Sequence, residues 1–337
     1  MRRGLSALCA AALLWLAAPA PIGAQAQGPS PEQISQTLAQ PQFQLKSYGF
    51  NPRTPLESRI AACPAFLNEI MKKVDERSDY EPYAPTPEEA QLLAGYLATL
   101  PPGLRRALDE RLVGVYFIKN FLGNGLTDVA LDENGEVYAI IILNPAGFSK
   151  SLSETLTERD ASALKGDSGL RVEAGGQYRG ILYSILHEGT HAYDYIRGIT
   201  PYVDDFIVTY VRRGQGAGAS WDVWQSYGKP FPQYDYPLRD QARFYGFGGE
   251  PLIEARQARR LIGGLSGSPF ASVYGSRSWA EDAAELATFY HVVVVLHQPY
   301  IIELPAAAGE QALSIEPFRR AATLERARRV YELMSNR

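Results

Sequence analysis

Cysteine is almost absent from this 337-residue chain, with only Cys9 and Cys63. No disulfide network can staple the fold, so stability must come from a packed core. Histidine is scarce as well: there are four in the chain, and two of them fall within five residues. A basic excess is also missing, with 33 basic against 37 acidic residues. No Lys/Arg-rich run offers the concentrated positive face that a nucleic-acid surface needs. Beyond the N-terminus no apolar run approaches the roughly 20 residues of a membrane-spanning helix, so no stable span is expected in the mature chain. What remains is ordinary globular composition, 46% hydrophobic and 21% charged, long enough to bury a sizeable core.

The N-terminus reads as an export signal occupying residues 1–26. Arg2 and Arg3 supply a positive start, Leu5 to Ala18 an apolar run, and Ala24-Gln25-Ala26 a small-x-small cleavage site. The expectation is a mature chain beginning near Gln27 in a periplasm or the outside medium; an uncleaved N-terminal anchor is the alternative. Loss of the two leading arginines leaves 31 basic against 37 acidic residues. Cys9 goes with the signal, and the single remaining Cys63 reads as a small buried apolar residue.

Residues 27–55, rich in Gln, Pro and Ser, read as an extended or disordered leader. The remainder, 56–337, reads as one domain. Its first part, 56–111, carries helical spacing from Leu56 to Arg77. A helix capped by Thr86 with Pro87 at its first position runs to Leu100, and a third helix covers Leu104 to Arg111. The period then becomes extended over Leu112 to Lys119. Two further runs, Asp128 to Leu131 and Glu136 to Leu143, flank an Asp132-Glu133-Asn134-Gly135 turn. The second of these could be a sheet edge that pairs with an extended ligand, or a core strand. Residues 151–176 are polar, with room for one helix. Gln177 to Arg197 is the clearest helix, stopped by Gly198 and Pro201. An aromatic, Gly-rich insert fills 199–276, interrupted by a helix near 251–261, and reads either as a lid with subsites or as packed loops. Ser278 to Gln298 is a second long helix, on whose apolar half His291 and His297 read as core histidines. Glu316 to Met334 is the last. The pattern implies an α+β fold, mostly helical, with a small mixed sheet.

His187-Glu188-Gly189-Thr190-His191 lies within the clearest helix. Positions four apart share a helix face, so both imidazoles can reach one metal, and Glu188 can reach a water bound to it. Zinc lowers the pKa of such a water from about 15.7 to about 7. A catalytic site needs three protein ligands and one open position. The position six residues past His191 is Arg197, not histidine, and no Glu lies between Glu188 and Glu250. Asp204 and Asp205 are candidate ligands, and Asp194 is better placed to orient a histidine. The stronger candidate lies at Ser278-Trp279-Ala280-Glu281-Asp282-Ala283-Ala284-Glu285, where Glu281 and Glu285 share a face. One can bind the metal while the other fixes a histidine ring. Ser278 to Glu281 also fits a helix capping box.

Tyr274-Gly275, followed after five residues by Glu281-x-x-x-Glu285, resembles the second half of the active site of anthrax lethal factor-like zinc peptidases, including the secreted Pro-Pro endopeptidases. The resemblance covers His187 to His191 and Tyr274 to Glu285. It implies a gluzincin-type site on a zincin-like fold, with His187, His191 and Glu281 as zinc ligands and Glu188 as general base. It further implies Glu285 as partner of a ligand histidine, and Tyr274 as hydrogen-bond donor to the developing oxyanion. The expectation is an exported zinc peptidase acting on a peptide or protein. The rivals are an exported zinc hydrolase of a non-protein amide, such as a cell-wall linkage, and a non-enzymatic binding protein with a remnant metal site.

Overall fold

The computed structural model describes residues 28–306 and 309–335; the expected export signal lies outside the described residues. The fold is mixed α+β. Residues 28–55 do not trail away as an extended leader. Ser30 caps helix α1 (Pro31–Leu38) through a capping box with Gln33. Phe43 is buried and stacks on Phe206 at 4.3 Å. The expected helix from Leu56 to Arg77 is divided into a 3-10 turn (Leu56–Arg59), strand β1 (Ile60–Ala62) and helix α2 (Ala65–Val74). Pro64 is the reason: it has no N–H to donate and drives the preceding residue towards extended backbone. A short strand β2 (Glu81–Pro82) follows, then α3 (Pro87–Leu97), capped by Thr86 as the sequence implies, and α4 (Pro102–Arg111).

The main sheet is built from β3 (Leu112–Lys119), β4 (Gly125–Leu131) and β5 (Val137–Leu143) together with β1 and β2. Its order is β1-β3-β5-β4, with β1, β3 and β5 parallel and β4 antiparallel to β5. The turn between β4 and β5 is held by the Asp132 carboxylate, which accepts from the amides of Asn134 and Glu136. Strand β5 is interior, and the edge is β4. That position explains the unbroken apolar run of β5, because a strand covered on both faces gains from burying every side chain. Ala139, Ile141 and Leu143 enter one core, and Ile140 and Ile142 enter the other with Cys63, Leu67 and Met71. Burial pushes the Cys63 thiol up to about 12, so it acts as a small apolar side chain.

After α5 (Ala146–Ser149) and α6 (Leu152–Ala161) comes α7 (Gly180–Arg197), nearly all of it buried beneath the sheet. The insert carries a π-helical turn (Ile207–Val211), a two-stranded hairpin and helix α8 (Ala258–Ser266). Helix α9 (Trp279–Tyr290) packs against α7 and passes into a π-helical turn (His291–Val295). Helix α10 (Ala321–Ser335) packs on α9. His291 is buried and its Nδ1 meets the Tyr331 hydroxyl at 2.7 Å. His297 instead is exposed, in a left-handed turn with φ 55°. Among the described residues no helix is long and apolar enough to cross a membrane.

Gly189, inside the motif, faces Leu104 and Leu108, where an added Cβ would meet atoms at 3.8–3.9 Å, an ordinary contact. Packing therefore does not demand glycine, while helix propensity favours alanine by about 1 kcal/mol. Gly189→Ala is expected to raise unfolding stability by up to about 1 kcal/mol, as measured by denaturant titration.

Candidate metal centre

Helix α7 delivers His187 and His191 to one face, and the first turn of α9 delivers Glu281. His187 Nε2 lies 3.0 Å from Glu281 Oε2 and 3.2 Å from His191 Nε2, and the third side of the triangle is 3.6 Å. A tetrahedral zinc with ligands at roughly 2.0–2.1 Å sets its donors about 3.3 Å apart. The three donors thus stand at a spacing that one metal ion could bridge, and two imidazoles with one carboxylate suit several first-row divalent ions, zinc among them. This is the only such cluster among the described residues. Both histidines are buried and Glu281 is partly exposed, so the open side faces the cleft.

The charge of the triangle points the same way. Burial opposes protonation of His187, but the carboxylates on its two nitrogens, Glu281 and Glu285, outweigh it and push the ring up to about 10. Burial would raise Glu281, yet the two imidazoles hold its carboxyl below the usual carboxylate range. The cluster therefore stabilises positive charge at its centre, as a proton or as a metal.

Glu285 is fully buried and accepts four hydrogen bonds. Its Oε1 takes His187 Nδ1–H at 3.0 Å and the Tyr183 hydroxyl at 2.9 Å. Its Oε2 takes Arg159 Nη1 at 2.7 Å and the Ser272 hydroxyl at 2.5 Å. Burial disfavours its charge, but Arg159 and His187 prevail and hold it ionised. An ionised Glu285 fixes the proton of His187 on Nδ1 and turns the Nε2 lone pair to the metal position. Arg159 is itself fully buried on α6 and also pairs with Asp160 at 2.8 Å.

Glu188 turns from the same helix towards strand β4. Its Oε2 accepts from the Thr127 hydroxyl at 2.8 Å. Burial raises its pKa, and His187 and His191 pull it partly back, which moves a carboxylate towards the range a general base needs. Gly125 is required here: a Cβ on it would lie 2.8 Å from Glu188 Cγ and 2.8 Å from Leu143 Cδ2. The Tyr274 ring stands 5.5 Å from the His187 ring and 4.9 Å from Phe244, and it lines the same cleft.

The other candidates fall elsewhere. Asp194 accepts from the amides of Ile199 and Thr200 and from the Thr200 hydroxyl, so it fastens the turn after α7. Asp204 accepts from Tyr195 and from the Ile207 amide, and lines the cleft outside the triangle. Asp205 is likewise outside it. The insert both packs and shapes the site. Trp224 Nε1 donates to buried Asp282 at 2.8 Å, and Tyr227, Phe244 and Phe247 line a cleft of about 270 Å³. Thr127, Arg159, Tyr183, Ser272 and Gly125 were not singled out from the sequence. Arg159 sits in the polar stretch 151–176, where no motif distinguishes it from the other charged residues.

Comparison with family models, with curated proteins and with solved structures gives no match.

Two outcomes follow from this geometry. Glu285→Gln is expected to weaken zinc binding by about 10–100-fold, and Glu281→Gln by more, measured by competition with a chromogenic chelator. Zinc lost in the first variant and kept in the second would reverse the two roles. Because the metal-free His187 is held above its ordinary value, it carries a proton at neutral pH that the metal must displace. Zinc affinity is therefore expected to rise by about tenfold per pH unit from pH 6 to 9, with proton release visible in calorimetry across buffers of different ionisation heat.

Proposed function

We propose that the chain is an exported zinc peptidase of gluzincin type on a zincin-like fold. The observation that carries this reading is the triangle of His187, His191 and Glu281 beside a buried, raised-pKa Glu188 at the wall of a cleft. Export rests on the N-terminal sequence. Bound zinc supplies a water acidified to near-neutral pKa and a Lewis acid for the scissile carbonyl.

The chain's own residues do the rest. Glu188, anchored by Thr127, takes the proton of the attacking water and passes it to the leaving amine. Glu285 and Arg159 hold His187 in the tautomer that binds metal. Tyr274 stands where a phenol can donate to the oxyanion as charge develops. The antiparallel edge strand β4 contributes Gly125 to Asp128 to the cleft wall. Among the described residues its outer side is bridged only at Leu131, by Gln44. An extended peptide can therefore add along the cleft end of that edge, which favours a peptide over a compact non-protein amide.

The test is hydrolysis of an unstructured protein such as casein by zinc-loaded protein. Glu188→Gln is expected to keep zinc and lose about 10²–10⁴-fold in kcat. Tyr274→Phe is expected to keep zinc and substrate affinity while kcat falls. Equal turnover by unmutated protein and Glu188→Gln rules out the reading.

A further inference from the structure

We propose that Arg277 is a carboxylate subsite of the cleft, taking the C-terminal carboxylate of a peptide or an acidic side chain and fixing where along the substrate hydrolysis falls. This rests on the peptidase reading and deepens it.

Arg277 closes the 3-10 turn Gly275–Arg277, three residues after Tyr274 and four before Glu281. It is the only lysine or arginine lining the cleft among the described residues, against the carboxylates of Asp75, Asp128, Glu188, Asp204 and Glu281. Yet it forms no ion pair with any of them. Its hydrogen bonds among the described residues run from Nη1 alone, to the carbonyls of Arg239 at 3.4 Å and Asp240 at 3.2 Å. Nε and Nη2 have no partner among the described residues.

The neighbouring arginine shows what a structural guanidinium looks like in this fold. Arg239 is buried, pairs with Asp235 at 2.6 Å and donates to the Ser276 carbonyl at 2.8 Å. Arg277 has neither an acid within ion-pair distance among the described residues nor a bond shorter than 3.2 Å. Burial and then the like charge of Arg239 depress its pKa, so holding it there costs free energy that its own contacts do not offset. A planar fork with free donors matches a carboxylate in two parallel bonds. Away from the metal position, the other charged side chains lining the cleft are acids, so Arg277 is the one place where the lining itself offers a carboxylate a partner. That gives register along the substrate as well as affinity.

The experiment uses the mature, zinc-loaded protein. A randomised peptide mixture is prepared with free C-termini, with amidated C-termini, and with Asp and Glu replaced by Asn and Gln. Cleavage is followed by mass spectrometry, and binding by retention on the zinc-loaded Glu188→Gln variant. The expected result is about a 10–100-fold preference for one carboxylate-bearing set, with the carboxylate at a fixed distance from the cut. Preference for free over amidated termini identifies the C-terminal source; loss on replacing Asp and Glu identifies a side chain. In Arg277→Gln the preference falls towards unity, and Arg277→Lys retains part of it. Cleavage without any carboxylate preference overturns the subsite and leaves the peptidase reading intact. If nothing is cleaved but retention depends on a carboxylate, the peptidase reading falls and the subsite stands. Equal retention of all three sets overturns the subsite.

Discussion

The rest of the site depends on one buried carboxylate. Glu285 lies at 0% exposure and receives Arg159 from α6, Tyr183 and His187 from α7, and Ser272 from the insert. An ionised carboxylate survives such burial only when its oxygens are fully engaged and a cation stands close. Four segments far apart in sequence must therefore reach their native places together before it can form. The same constraint sets the orientation of the His187 ring.

Charge is distributed in two tiers around that point. Arg159 pairs with Glu285 and Asp160 in the interior, where all three side chains are buried. Nearer the cleft, Glu281 and Glu188 face two imidazoles, and the balance is left open to a cation. A metal there would tie α7 to α9 across the 90 residues that separate His191 from Glu281 in sequence. The insert spanning that gap makes the tie possible, with Trp279 Nε1 donating to the Tyr202 carbonyl at 2.7 Å and Trp224 gripping Asp282.

Periodic signals were legible in the sequence, and so were the three side chains that the fold brings together as a candidate metal site. The apolar run of β5, the Asp132 turn, the Thr86 cap and the motif helix all follow from local rules that tertiary packing did not override. Glu281 stood out because no Glu lies between Glu188 and Glu250 and because Glu281 and Glu285 share a helix face. Other features were hidden for physical reasons. Arg159 looks like any exposed helix charge until its partner, 126 residues away, is in place. The edge of the sheet passed to β4, since strand order is a long-range property that a run of isoleucines does not encode. Residues 28–55 carried a capping-box signal at Ser30 and Gln33 that composition alone masked. Gly125 has no motif around it; its need appears only when Glu188 is seen against the strand.

X-ray absorption at the zinc edge of the purified mature chain tests the central claim most directly. The account predicts about one zinc per chain with two imidazole nitrogens and one carboxylate oxygen at roughly 2.0–2.2 Å, plus one further light ligand. Absence of zinc after loading under non-chelating conditions, or a coordination shell with no imidazole, would contradict it.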